Sequence, residues 1–175
     1  MGKRLIAVLL LTLGMTAGAA SSRLEDLRMD KRFGVGIEAG GPLALLGLSV
    51  DVNVTENFSI SGGLGTGLDY NSLAFKARYF LLGKHVSPYI GAGVARWWSN
   101  GTRVRDFSPG ILRNDFIKPT DDLSDGFSVW MVYPVAGVQF FHVSGFEFSA
   151  EAQYLFKLFD FASGAYAGLG VHWYF

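Results

Sequence analysis

The sequence predicts an all-β protein: an eight-stranded antiparallel up-and-down transmembrane β-barrel. Three observations carry this. Apolar and polar residues alternate in eight segments, a period of 2 that marks strands with two unlike faces and not helices of period 3.6. The composition is 50% hydrophobic and 15% aromatic, with 23 Gly against 5 Pro. Beyond the N-terminal stretch, however, no apolar run is long enough to cross a bilayer as a helix. The last eleven residues alternate and finish on Trp173, Tyr174 and Phe175; such an end is unfavourable in water but suits a strand whose outer face meets lipid.

Residues 1–20 read as a cleaved signal peptide. Lys3 and Arg4 form a basic start, Leu5 to Met15 an apolar run too short to span, and Ala17-Gly18-Ala19 a small-residue cleavage pattern. About 155 residues remain, enough for one domain. Removing Lys3 and Arg4 leaves 13 basic against 15 acidic residues, a net charge of about −2, with no basic excess to suggest nucleic acid. The chain has no cysteine, so neither disulfides nor lipid attachment at a mature N-terminal cysteine is available.

Residues 21–32 are polar and mixed in charge, a short tail or helical turn before the barrel at 33–175. The first strand, Phe33–Gly40, places Phe33, Val35, Ile37 and Ala39 opposite Gly34, Gly36 and Glu38. The second sets Leu46, Leu48, Val50, Val52 and Val54 against Gly47, Ser49, Asp51 and Asn53. After a tight turn at Thr55-Glu56-Asn57, the third sets Phe58, Ile60 and Leu64 against Ser59, Ser61, Gly63 and Gly65. The fourth carries Leu73, Phe75, Ala77, Tyr79 and Leu81 outward, with Lys76 and Arg78 inward. In the fifth, about Pro88–Trp98, the alternation alone is ambiguous. Arg96 argues that Ile90, Ala92 and Val94 face in, leaving Tyr89 and Trp97 outside.

A long polar connection, about 99–126, precedes the sixth strand, Phe127–Phe141. The seventh, Phe146–Phe156, alternates Phe146, Phe148, Ala150, Ala152 and Tyr154 with Glu147, Ser149, Glu151 and Gln153. The eighth is about Gly164–Phe175. Connections at 55–57, 83–87 and 142–145 are short and fall on the end that carries both termini; the longest falls on the other end. Outer-membrane barrels have short periplasmic turns and longer outer loops, so both termini are expected in the periplasm. The first outer connection, around Gly40–Pro42, is shorter than that pattern suggests. Two aromatic belts are expected: Tyr79, Tyr89, Phe141, Phe146, Trp173 and Phe175 at the periplasmic end, and Tyr70, Trp97, Trp98, Phe127, Trp130, Phe156 and Tyr166 at the outer end.

Three segments carry a resemblance to a known family: Gly168–Phe175, Pro88–Val94 and the strand–turn–strand run Asp51–Ser61. With them the chain resembles the OmpA/OmpX-like eight-stranded outer-membrane barrels over nearly all of its mature length. The resemblance implies a place in the bacterial outer membrane, porin-like in architecture, and insertion by the outer-membrane assembly machinery. Gly170, Trp173 and Phe175 then correspond to the assembly signal of that family.

Glu38, Asp51, Lys76, Arg78, Arg96, Glu147 and Glu151 fall on expected interior phases. A barrel of eight strands has room inside for side chains and little else. These charges are therefore expected to pair and fill the lumen, an ion path or gate being the competing reading. His85, His142 and His172 are all expected near the periplasmic end, with hydrogen-bonding roles instead of a shared metal. A lipid-modifying enzyme of the outer leaflet would need histidine at the opposite end. In the long connection, Asp121, Asp122 and Asp125 read as a solvated acidic patch. Arg103, Arg105, Arg113 and Lys118 are candidate contacts to lipopolysaccharide phosphates, which suit arginine's paired donors. A soluble lipid-binding barrel would reverse the faces, but Lys, Arg and Glu share a phase with Gly and Ser. The leading expectation is a non-enzymatic monomer without cofactor, structural in the envelope or interacting at its surface. A lipid-modifying enzyme and a narrow channel are the alternatives.

Overall fold

Each alternating segment forms a strand, and the strands close on themselves. The computed structural model describes residues 21–67, 70–81, 86–99, 126–159 and 162–175. The expected signal peptide, residues 1–20, and most of the 99–126 connection lie outside the described residues. Helix α1 (Ser21–Asp30) precedes the strands β1 (Phe33–Gly40), β2 (Leu46–Thr55), β3 (Phe58–Thr66), β4 (Asn71–Phe80), β5 (Val86–Ser99), β6 (Phe127–Phe141), β7 (Phe146–Lys157) and β8 (Ser163–Tyr174). They form one closed antiparallel barrel in sequence order. The seam joins β1 to β8 with Val35 opposite Trp173 and Ile37 opposite Val171, and the Phe175 amide bonds the Phe33 carbonyl. Closure leaves neither of these strands with a free edge.

Pairing between β6 and β7 lapses between Val132↔Phe156 and Val135↔Gln153 and resumes in the same register. Pro134 sits in that gap with no N–H to give; its other side still pairs with Ala92 of β5.

The two faces of the wall are inverted relative to a water-soluble barrel. Leu48 is 69% exposed, Leu64 62% and Ile90 54%, while Asp51 and Glu147 are fully buried. Removing one such apolar side chain from water is worth roughly 1.5–3 kcal/mol. A wall that leaves every second one outside is stable where hydrocarbon replaces the water. Part of this outer face is concave: an apolar trough of about 980 Å³ runs along it, lined by Val35, Ile37, Leu48, Val50, Leu64 and Phe75.

One strand departs from expectation. In β5, Tyr89, Ala95 and Trp97 are buried in the lumen, whereas Ile90 and Val94 are exposed on the outer wall. Arg96 goes outward with them, so it is not part of the interior charge set. The expected aromatic belts thin accordingly. Tyr89 and Phe141 at one end, and Tyr70 and Trp97 at the other, fill the interior. Tyr79, Phe146, Trp173 and Phe175 remain outside near the termini, and Trp130 and Phe156 near the opposite end.

The short first connection also has its reason. It does not arch outward but folds back into the barrel as a 3-10 turn, Gly41–Leu43, entirely buried. Gly40 (φ 84) and Gly41 (φ 62) make the reversal in the left-handed region, where a side chain is disfavoured.

Candidate functional site

The lumen is built in three layers. At the end carrying the termini, α1 lowers Arg28 into the mouth. Its guanidinium donates to the Glu56 carbonyl at 3.1 Å and to Gln139 Oε1 at 3.1 Å, and lies 3.8 Å above the centre of the Phe80 ring. Phe141 and Tyr174 pack beside it with Leu27. The polar stretch at 21–32 is therefore a plug tied to the barrel.

The middle layer holds the charges. Lys76 Nζ reaches Glu38 Oε2 at 3.3 Å and Glu151 Oε1 at 2.9 Å. The Tyr89 hydroxyl donates to Glu151 Oε2 at 2.6 Å, and Gln153 donates to the same carboxylate. The Tyr89 ring fits because Gly137 lies beneath it, where a Cβ would stand 2.6 Å from the ring. Two residues along β4, Arg78 Nη2 donates to Asp51 Oδ1 at 2.9 Å, and Nη1 lies 3.8 Å from Glu147 Oε1. Arg78 Nε donates to Ser59 Oγ at 3.1 Å.

His172 joins the two groups. Its Nδ1 faces Glu147 Oε2 at 2.9 Å; its Nε2 faces Asp51 Oδ2 at 3.0 Å, Ser49 Oγ at 2.7 Å and, more distantly, Glu38 Oε1 at 3.6 Å. Ligand atoms of Glu38, Asp51 and His172 lie within 4.8 Å of one another, compact enough for a metal ion. Both carboxylates already face a cation or the imidazole, Glu38 with Lys76 and His172, Asp51 with Arg78 and His172, so the arrangement is read as an ion-pair network. Isolated burial of any of these charges would cost several kcal/mol.

The third layer closes the opposite end. Leu43 sits over Gly47 and Gly63, whose missing side chains make its space. Trp97 Nε1 donates to the Pro42 carbonyl at 2.8 Å and packs against Tyr70 and Tyr166, with ring centres 5.3 and 6.3 Å apart. Burial pushes the Tyr70 phenol up to about 12. Between this plug and the charge layer, a void of about 10 Å³ is lined by Glu38, Leu43, Lys76 and Tyr133. That volume is at the lower limit for a single water molecule.

Six of the seven expected interior charges are thus brought together, and Arg96 is not. His172, expected in a hydrogen-bonding role but not among the interior charges, joins them. It shares the inward phase of Gly168 and Gly170, opposite Trp173, and that phase was the available signal. His142 lies in the β6–β7 turn, where Nδ1 is 2.9 Å from Ser144 Oγ and accepts the Ser144 amide, a local turn contact. His85, the acidic patch at Asp121, Asp122 and Asp125, and the basic residues Arg103, Arg105, Arg113 and Lys118 lie outside the described residues. Gly170 packs inward against Ser149, while Trp173 and Phe175 face outward at the seam.

A structural comparison aligns 83% of the chain with 98% of the N-terminal β-barrel domain of Pseudomonas aeruginosa OprF, at 18% identity and a TM-score of 0.60. The chain has the fold of that barrel domain. The resemblance to OmpA/OmpX-like barrels therefore holds at the level of the fold. A second match is the Yersinia pestis outer membrane protein Ail in a phospholipid bilayer nanodisc, with 14% identity over 83% of this chain and 99% of that one, and a TM-score of 0.45. No protein-family model matches the chain, and no curated protein matches it by sequence.

Proposed function

We propose that the chain is an integral protein of the bacterial outer membrane, non-enzymatic, with an envelope-structural or surface-interaction role. The inverted barrel is the observation that carries this: an apolar outer wall around a buried charge network. On this reading both termini lie in the periplasm. The connections beside them, at 56–57, 81–85 and 142–145, are short, while the long 100–126 connection leaves from the opposite end. Trp173 and Phe175, outward on the closing strand, are the side chains the assembly machinery would meet.

The filled lumen favours a rigid scaffold over a channel, because Arg28 and Leu43 close its two ends. The histidines favour a structural role over lipid modification. His172 is buried in ion pairs, and His142 lies at the end carrying the termini. Contact with lipopolysaccharide through the long outer connection belongs to the same reading.

Cell fractionation together with heat-modifiable gel mobility tests the placement. Recovery in the outer-membrane fraction, with unheated protein migrating differently from heated, is the expected result. Recovery as a soluble periplasmic protein would overturn it.

A further inference from the structure

Arg96 is a cation on the outer wall of β5. Its cross-strand neighbours are Leu73 on β4 and Trp130 on β6. The guanidinium carbon lies 5.6 Å from the Trp98 ring centre and 5.6 Å from that of Trp130, and Nε donates to Ser128 Oγ at 3.0 Å. Two indoles and a hydroxyl hold the head in place. Among the described residues no carboxylate pairs with it. A cation on the lipid face costs about 2–4 kcal/mol at the bilayer midplane but only about 0–1 kcal/mol at the interface. Near the ends of β5 and β6, beside two indoles, Arg96 sits at headgroup level. Its terminal amino groups are left to bind an anion.

The neighbouring turn is apolar. The Leu158 amide bonds the Trp130 carbonyl at 2.8 Å, bringing the Leu158-Phe159 turn beside Trp130. Phe159 is 87% exposed and held at φ 81, a backbone region costly for a bulky residue. In water, that strained and exposed ring gains nothing from its position; against acyl chains it gains burial. The patch therefore presents anion donors, interfacial indoles and an apolar tip side by side.

We propose that Arg96, Trp98, Trp130 and the Leu158-Phe159 turn form a binding site for a phosphorylated glycolipid of the outer leaflet. The guanidinium takes the phosphate, and the apolar turn lies along the acyl chains. This rests on the reading of the protein as an outer-membrane barrel with the 100–126 connection outside. Charge-assisted donors of this kind form the shorter, stronger hydrogen bonds, and arginine meets phosphate with two at once.

The test uses the mature protein refolded in alkyl maltoside micelles, which carry no phosphate. It is titrated with bis-phosphorylated lipid A, with the dephosphorylated lipid and with inorganic phosphate, and indole fluorescence is read. Saturable binding of the bis-phosphorylated lipid is expected. It should weaken about tenfold in Arg96→Gln, a loss of one charged hydrogen-bond pair, and less in Arg96→Lys. The dephosphorylated lipid should bind wild type no better than the phosphorylated lipid binds Arg96→Gln. Gel mobility first establishes that each variant forms the barrel. A barrel that inserts but binds the lipid equally with and without Arg96 overturns this inference and leaves the outer-membrane reading standing. Inorganic phosphate binding as tightly as the lipid overturns the lipid assignment. A chain recovered as soluble protein overturns both readings.

Discussion

Lys76 bridges Glu38 and Glu151, and replacing it with methionine tests whether the lumen is an ion-pair core. At 3.3 and 2.9 Å, the two contacts are worth about 5 and 6 kcal/mol in gross attraction at an effective dielectric of 20. Desolvation offsets most of that. What Lys76→Met exposes is the remainder, because two buried carboxylates lose their shared partner. Glu151 keeps the Tyr89 hydroxyl and Glu38 keeps His172 at 3.6 Å, so the damage is bounded. Breaking a buried pair by removing one partner costs about 3–5 kcal/mol. The assay is urea unfolding of the barrel in phosphatidylcholine vesicles, followed by fluorescence and gel mobility. With a slope of about 2 kcal/mol per molar urea, the midpoint should fall by about 2 M. Adding Glu38→Gln and Glu151→Gln to Lys76→Met should recover more than half of the loss, since the uncompensated charges are then gone. A loss under about 1 kcal/mol, the range of exposed pairs, or a triple variant no better than the single one, would refute the reasoning.

Three further outcomes follow from the same geometry. Leu43→Ala empties the inward-folded turn over Gly47 and Gly63 and should cost about 2–5 kcal/mol in the same unfolding assay; an unchanged midpoint would mean the turn is not packed there. Arg28→Ala removes the cation over Phe80 and two hydrogen bonds. Amide exchange at Lys31, which bonds the Leu27 carbonyl, should accelerate at least about tenfold while the strands stay protected; equal protection would show that the helix is held by something else. A nitroxide at Ala92→Cys, outward in the middle of β5, should collide with lipid-phase oxygen in preference to an aqueous nickel complex. The reverse preference would return β5 to the phase that Arg96 suggested.

Strand positions were legible because alternation is local. β1 and β6 have the expected limits, and the other strands differ by a residue or two at their ends. Phase was legible where charge and alternation agreed, as in β4, where Lys76 and Arg78 oppose Phe75 and Tyr79. It failed in β5 because one charge was taken to mark the interior, while an arginine near a strand end can lie at the membrane interface. Gly91 and Gly93 held the better signal. Inward glycines recur at Gly34, Gly36 and Gly47, since a narrow lumen needs small residues beside large ones, and their phase places Tyr89 and Trp97 inside.

The sequence by itself therefore determined an eight-stranded barrel with its apolar face outward, because a period of 2 and the sign of each face depend on neighbouring residues alone. Which carboxylate meets which cation was decided by tertiary structure. Lys76 meets Glu151 from 75 residues away, and the barrel's closure sets their heights. So was the filling of both mouths by Arg28 and Leu43. Each leaves its local segment for a space that exists only once eight strands have closed around it.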